Sequence, residues 1–489
     1  MKIMDEQKKS FLKKADELTP VIYKKEVYVN DCELVMNTGK ETVFDLDNYY
    51  AGFFEFEIAR HKVYLDAPVK LSIKFCETKR ELEDDFSKYC GVLCPSWLQE
   101  EIFTADYAGK YKLDRRYAAR YVKITVLSTP QEFVLKNVSF ASVTSADENS
   151  FVKHKICDEL LKKIDEISVN TLKNCMQRVF EDGPKRDRRL WLGDLRLEAL
   201  ANHVTFANES LTERCLYLFA ASEKNSHGFI QTHVYDYPEF YSGDWTAVDY
   251  SLLFCVTLCD MYEHTANKEL FLELYETAKS QIDACEALLD EDGILSFNNV
   301  NGAFIDWRPG LEKKTSLHGV YMYTLCKMID VLEIIGCGDA EYFIQKYEYA
   351  KRASQCLFDK EKSLYKGAKN SGQYSVHSAV WMILGGAVIG TEAEKMLCSV
   401  LDDKDTVKPF TPYMHHYVVE AFIKLGMIDK AKEYIINYWG EMVKRGADTF
   451  YEVFVPENEE FSPYNDRMIN SACHAWSCTP SYFIRKYLI

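Results

Sequence analysis

Residues 156–179 read Ile-Cys-Asp-Glu-Leu-Leu-Lys-Lys-Ile-Asp-Glu-Ile-Ser-Val-Asn-Thr-Leu-Lys-Asn-Cys-Met-Gln-Arg-Val, and here the chain changes period. Leu160, Leu161, Ile164 and Ile167 recur three and four apart, the spacing of an amphipathic helix. Upstream the spacing is two. Val69–Phe75 alternates as Val-Lys-Leu-Ser-Ile-Lys-Phe, and Tyr117–Leu127, Phe133–Val143 and the dense apolar run Phe44–Ala59 read the same way, as half-buried strands. Residues 1–150 are therefore expected to form an antiparallel β-sandwich accessory domain, with Met1–Leu18 as a short helix packed outside it.

From residue 151 onward the pattern is helical. Twelve segments carry it: Ile156–Val179, Asp194–Ala207, Leu211–Ala221, Thr246–Thr265, Lys268–Leu289, Ser316–Ile335, Asp339–Phe358, Tyr374–Leu384, Ala393–Leu401, Pro412–Leu425, Ile428–Lys444 and Asn470–Tyr487. Residues 151–489 are expected to be an all-α (α/α)6 toroid in which inner and outer helices alternate. A helical solenoid is the competing architecture. The absence of a repeat of about 34–40 residues counts against it.

The chain has 489 residues, 47% hydrophobic, with a formal net charge of −16. That excess of acid disfavours a nucleic-acid surface, which needs clustered Lys and Arg. No leader-like apolar segment opens the sequence, and no run of about 18 apolar residues occurs, so neither export nor membrane insertion is expected. The 16 cysteines are scattered without a Cys-x-x-Cys pair, as suits buried thiols in a reducing cytoplasm. Cys90/Cys94 and Cys255/Cys259 give only a weak zinc signal, and no metal or other cofactor is expected.

Residues 181–194, Glu-Asp-Gly-Pro-Lys-Arg-Asp-Arg-Arg-Leu-Trp-Leu-Gly-Asp, hold the richest chemistry. Pro184 pushes Gly183 away from helical geometry, so the segment reads as a loop. Carboxylates accept sugar hydroxyls and shuttle protons, while an indole covers the apolar side of a sugar ring. A charged surface loop closed by ion pairs fits the same residues. Four downstream loops echo it: Ser242-Gly243-Asp244-Trp245, Phe304-Ile305-Asp306-Trp307-Arg308, the Gly446–Glu452 run, and Ser471-Ala472-Cys473-His474-Ala475-Trp476. Singly, each Asp-Trp pair suits a helix cap beside a packed indole. Together they point to one pocket at the mouth of a helical ring.

These motifs resemble glycoside hydrolase family 78, the α-L-rhamnosidases, in a compact form expected to lack the C-terminal β-domain of larger members. Asp182, Asp187 and Gly193-Asp194 keep the family's spacing, with Arg186 before the middle acid and Trp191 before the Gly-Asp. The resemblance extends through Trp245, Asp306-Trp307, the Gly-Ala-x-Thr-x-x-Glu run ending at Glu452, and His474. It implies an inverting glycosidase with Asp187 as general acid and Glu452 as general base. Such a pair stands roughly 6.5–9.5 Å apart to admit water. It also implies that Asp182, Arg186, Trp191, Asp194, Trp245, Asp306, Trp307 and His474 bind a terminal rhamnose of a small glycoside, without metal or cofactor. A homodimer is the candidate assembly.

Two departures stand out. The acid is an Asp where the family usually has Glu, and Tyr451 precedes the base where many relatives carry Trp. A rhamnose-binding protein with little turnover, another (α/α)6 enzyme such as an unsaturated glucuronyl hydrolase, and a structural helical-repeat protein are the competing readings.

Overall fold

The computed structural model describes residues 6–297, 300 and 302–489. Eight strands come first: β1 Tyr23–Asn30, β2 Leu34–Met36, β3 Glu41–Arg60, β4 Val69–Cys76, β5 Glu100–Ala105, β6 Gly109–Lys112, β7 Tyr117–Ser128 and β8 Phe133–Thr144. They form one antiparallel sheet in the order β1-β8-β3-β7-β4-β5, with β2 beside β8 and β6 beside β3.

Phe56 on β3 and Phe103 on β5 have ring centroids 5.5 Å apart. Three strand spacings would separate those strands by about 14 Å in a flat sheet, so the sheet curls over on itself. Where two stacked sheets are expected, a single hydrogen-bonded sheet thus encloses the core. The 20-residue β3 makes this possible. Its register with β7 shifts between Asp45 and Tyr50, and past that irregularity the strand pairs with β6, bending as a bulged strand does.

The expected N-terminal helix exists, but its packing differs. Helix α1 (Glu6–Glu17) lies against the helical region, not the sheet; Met1–Asp5 fall outside the described residues. Phe11 and Ala15 are its buried face, and Phe11 meets the Tyr217 ring at 5.9 Å. Lys14 Nζ donates to Glu273 at 2.6 Å. An apolar pair four residues apart settles on whichever apolar surface is nearest, and that surface is a helix.

The remaining helices are α2 Glu159–Cys175, α3 Leu192–Val204, α4 Glu209–Ala220, α5 Val248–Thr265, α6 Lys268–Glu286, α7 Lys314–Ile335, α8 Ala340–Ala353, α9 Val376–Leu384, α10 Gly390–Asp402, α11 Pro412–Lys424, α12 Ile428–Lys444 and α13 Pro480–Phe483. Burial sorts most of them into two kinds. Helices α3, α5, α7, α9 and α11 are buried nearly all round, whereas α6, α8, α10 and α12 bury one face. A helix apolar on every side must be surrounded by other elements. Successive members of the buried set touch, α3 on α5, α5 on α7, α7 on α9 and α9 on α11. The segment 475–483 then touches both α11 and α3.

The expected helix Asn470–Tyr487 is largely absent. A 3-10 turn covers Ala475–Ser477, α-helix only Pro480–Phe483, and a π turn Ile484–Leu488. Pro480 has no N–H to donate back to Trp476, so an α-helix cannot run through it. Residues before it are held by loop contacts instead, including His474 N to Phe450 O at 2.9 Å. Among the described residues no helix is long and apolar enough to cross a membrane. All sixteen cysteines are free thiols.

Candidate active site

The loop after α2 is built around Asp182. Its carboxylate accepts the backbone N–H of Asp187 and that of Arg189, each at 3.1 Å. Gly183 is required here, because a Cβ would stand 2.5 Å from Arg186 O and 3.0 Å from Cys473 O. The Arg186–Asp187 peptide is cis, and Arg188 holds a left-handed φ of 61°. Arg188 earns that conformation with two contacts, Nε to Pro184 O and Nη2 to Arg116 O, both at 2.7 Å. Lys185, fully buried, lies 3.2 Å from Glu77 and 3.1 Å from Glu81. The loop is therefore bolted to the β-sheet through side chains that composition alone would assign to solvent.

Arg186 joins the two acids. Its Nη2 donates to Glu452 Oε2, its Nη1 lies 3.5 Å from Asp187 Oδ1, and its Nε donates to Ile469 O at 3.1 Å. Two carboxylates on the two Nη atoms of one rigid guanidinium have nearest oxygens within about 8 Å of each other. Glu452 is 1% exposed. It also accepts Tyr464 Oη–H at 2.5 Å and Ser471 N–H at 3.2 Å. Burial pushes its carboxyl up, but Arg186, His474 and these donors outweigh it and hold the group below the ordinary glutamate value. On Asp182 burial prevails: with the neighbouring Asp187 charge it drives that carboxyl up to about 7.

Asp194 sits in the first turn of α3, where its carboxylate meets His474 Nε2 at 3.1 Å. Burial opposes charge on His474, yet Asp194 and Glu452 raise its proton affinity above the usual value. Gly193 lets Tyr250 lie on the backbone, since a Cβ would stand 2.3 Å from that ring. Aromatic groups flank the acids on two sides. Trp191 packs on His233 at 4.4 Å and on Trp245 at 6.3 Å. Trp307 packs on Phe304 at 5.1 Å and Tyr464 at 5.7 Å, and Phe304 on Trp476 at 5.6 Å. The Nε1 atoms of Trp191 and Trp307 are buried without a hydrogen-bond partner.

Nine of the ten sequence-selected residues thus belong to this assembly: Asp182, Arg186, Asp187, Trp191, Asp194, Trp245, Trp307, Glu452 and His474. Asp306 is a correction. Its two oxygens are occupied by His377 Nε2 at 2.7 Å, Phe410 N at 2.8 Å, Thr411 N at 3.1 Å, Thr411 Oγ1 at 2.7 Å and Trp307 N at 2.8 Å. It ties its own loop to helix α9 and to the segment before α11, and it accepts the backbone N–H of Trp307. Tyr464 escaped the sequence reading, because only a turn surrounds it and its partners lie 12 and 278 residues away. A cavity of about 760 Å³ opens between the sheet and residues 445–472 and contains none of the ten. Tyr451 and Val453 line it, whereas the Glu452 carboxylate between them is turned to Arg186 and Tyr464.

A buried and a half-buried carboxylate on one guanidinium, with indoles beside them, are the equipment of a carbohydrate hydrolase. Residues 13–145 match the N-terminal domain of glycosyl hydrolase family 78 α-rhamnosidases, and residues 155–488 the six-hairpin glycosidase domain of bacterial α-L-rhamnosidases. A rhamnosidase from Klebsiella oxytoca, solved with rhamnose bound, is 33% identical, with 98% of this chain and 99% of that chain covered and a TM-score of 0.93. The family 78 rhamnosidase of Bacillus sp. GL1 is 22% identical over 93% of this chain and 47% of its own, with a TM-score of 0.79. The Streptomyces avermitilis α-L-rhamnosidase complexed with L-rhamnose is 13% identical over 96% and 44%, with a TM-score of 0.70. The last two share the fold. No curated protein compared with the chain matches it. The chain belongs to glycoside hydrolase family 78, the α-L-rhamnosidases, and is a glycosidase.

Proposed function

We propose that the protein is an exo-acting, inverting α-L-rhamnosidase that removes terminal rhamnose from small glycosides. The observation that carries this is Arg186, which contacts both Asp187 and Glu452 and so keeps two chain-distant acids across one short gap. Asp187 gives its proton to the leaving glycosidic oxygen as the bond to the anomeric carbon breaks. A water attacks that carbon from the opposite face, and Glu452 takes the water's proton. The electrostatics support Glu452 as base, since its neighbours favour the ionised form. Trp191, Trp245 and Trp307 form the apolar walls, and the unpartnered indole N–H groups of Trp191 and Trp307 supply donors for sugar oxygens. Asp182 positions the acid loop, and Asp194 with His474 holds hydroxyls.

Rhamnose as the sugar is supported by the Klebsiella relative, which carries it. A uronate-specific hydrolase has less support, because the matching domain model and the Klebsiella relative are both of rhamnosidases. The division into residues 1–150 and 151–489, with the second part an (α/α)6 toroid, is supported by the succession α3-α5-α7-α9-α11 and the return of residues 475–483 to α3. Sixteen free thiols support a reducing, cytoplasmic setting.

The test is hydrolysis of p-nitrophenyl α-L-rhamnoside by the wild type, Asp187→Asn and Glu452→Gln, with the first-formed anomer read by NMR. Loss of activity in both variants and initial release of β-L-rhamnose are expected. Equal rates in all three proteins, or the α anomer first, would refute the assignment.

A further inference from the structure

We propose that His203, Glu209 and His264 form a divalent metal site of the zinc class that clips three helices together, at the end of α3 away from the acids. His203 is in the last turn of α3, Glu209 is the first residue of α4, and His264 is in the last turn of α5. His203 lies eleven residues beyond Leu192, about 17 Å along the helix axis. The trio is thus independent of the hydrolytic site.

The donors converge. His203 Nδ1 is 2.7 Å from Glu209 Oε2, and His264 Nε2 is 3.1 Å from Glu209 Oε1. The two imidazole rings stack with centroids 4.2 Å apart. One ligating atom from each residue lies within 4.8 Å of the other two. Zinc bound at about 2.0–2.2 Å in a tetrahedral site separates its ligands by roughly 3.3 Å, and two imidazoles with one carboxylate are a donor set that ion accepts.

A second observation points the same way. His203 is 6% exposed, yet neither of its ring nitrogens and neither Glu209 oxygen has a hydrogen-bond partner; the short N···O contacts lack hydrogen-bond direction. Buried polar atoms left unsatisfied are costly, and a cation at their focus satisfies them together. The turn does not need these side chains. Other groups hold it: Asn208 N–H donates to Asn202 Oδ1, Asn202 Nδ2 donates to Asn208 O, Ala207 N–H donates to Asn202 O, and Arg485 Nη1 donates to Val204 O. The His264 side chain is 40% exposed, which leaves a path for the ion and for a water as fourth ligand.

The full chain, stripped with a chelator, is titrated with zinc sulfate by calorimetry and by thermal unfolding, alongside His264→Gln and Glu209→Gln. One zinc per chain, a higher Tm on loading, and at least tenfold weaker binding in both variants are expected. Cobalt in place of zinc gives visible absorption in the wild type that both variants lose. Failure of the wild type to bind, or a change in affinity below tenfold in either variant, overturns the proposal. His264→Gln alters a half-exposed side chain, so the test does not hinge on replacing buried His203. Rhamnoside hydrolysis by metal-free protein serves as the check that both variants are folded.

Discussion

Arg186 places one guanidinium between Asp187 and Glu452, the proposed proton donor and acceptor, and its planar fork matters as much as its charge. Arg186→Lys keeps the charge but loses the second arm, so it should release one of the acids and lower kcat about 10²-fold with little change in fold, read by steady-state kinetics and circular dichroism. Glu452→Gln should lower kcat by about 10²–10⁴-fold, the usual contribution of a general base. Because the folded Glu452 titrates below its ordinary 4.5, the acid limb of kcat/KM should fall below pH 4.5; a limb above that value would remove Glu452 from the role. Asp182 has the opposite sign. Raised from 3.8 to about 7, it contributes stability that is complete below pH 3.8 and is lost as pH rises through 7. Asp182→Asn should therefore flatten the dependence of Tm on pH between 4 and 7, whatever it does to Tm itself. The spacing of Asp182, Asp187 and Asp194 was legible in sequence because all three fall within one short segment, the loop and the first turn of α3. Tyr464 was not, since its role comes from a chain reversal that brings its hydroxyl onto Glu452.

Asp306 shows how an element-level role can hide inside a site-like motif. It joins the loop before Trp307 to the N-terminus of α11 and to His377 in α9. Asp306→Ala leaves the buried His377 and the N–H groups of Phe410 and Thr411 without their acceptor. A loss of about 3–5 kcal/mol in urea unfolding is expected, the scale for breaking a buried pair. An unchanged unfolding midpoint would return Asp306 to the sugar. The pattern Asp-Trp announced a pair of chemical types suited to a sugar, but sequence carries no sign of which way a carboxylate turns. Helices were legible for the same reason that strands β1, β2, β5 and β6 were not. A buried face imposes a period over many residues, whereas β1 is exposed or half-buried along its length and so has no pattern to show. The last helix failed at Pro480, whose missing N–H was visible in the sequence and outweighed by the apolar residues around it.

At the scale of the molecule, Lys185 ties the loop that carries Asp187 to the strand region. That ammonium is buried with Glu77 and Glu81 of the strand region, and Arg116 beside them pairs with Glu181. Lys185→Met removes the cation and strands two buried acids. It should cost about 3–5 kcal/mol in stability and lower kcat, because the loop that carries Asp187 loses its anchor; unchanged kinetics would make the sheet a passive cover. The two-part layout was readable from the change of period near residue 151, but the tie between the parts was not, since a lysine in a loop reads as solvated until its partners are known. The chain order of the site has a consequence for its integrity. Arg186 and Glu452 stand 266 residues apart in sequence, so the pairing exists only while the loop after α2 and the segment after α12 are both in place. Local opening of either segment would part Asp187 from Glu452 without unfolding the rest.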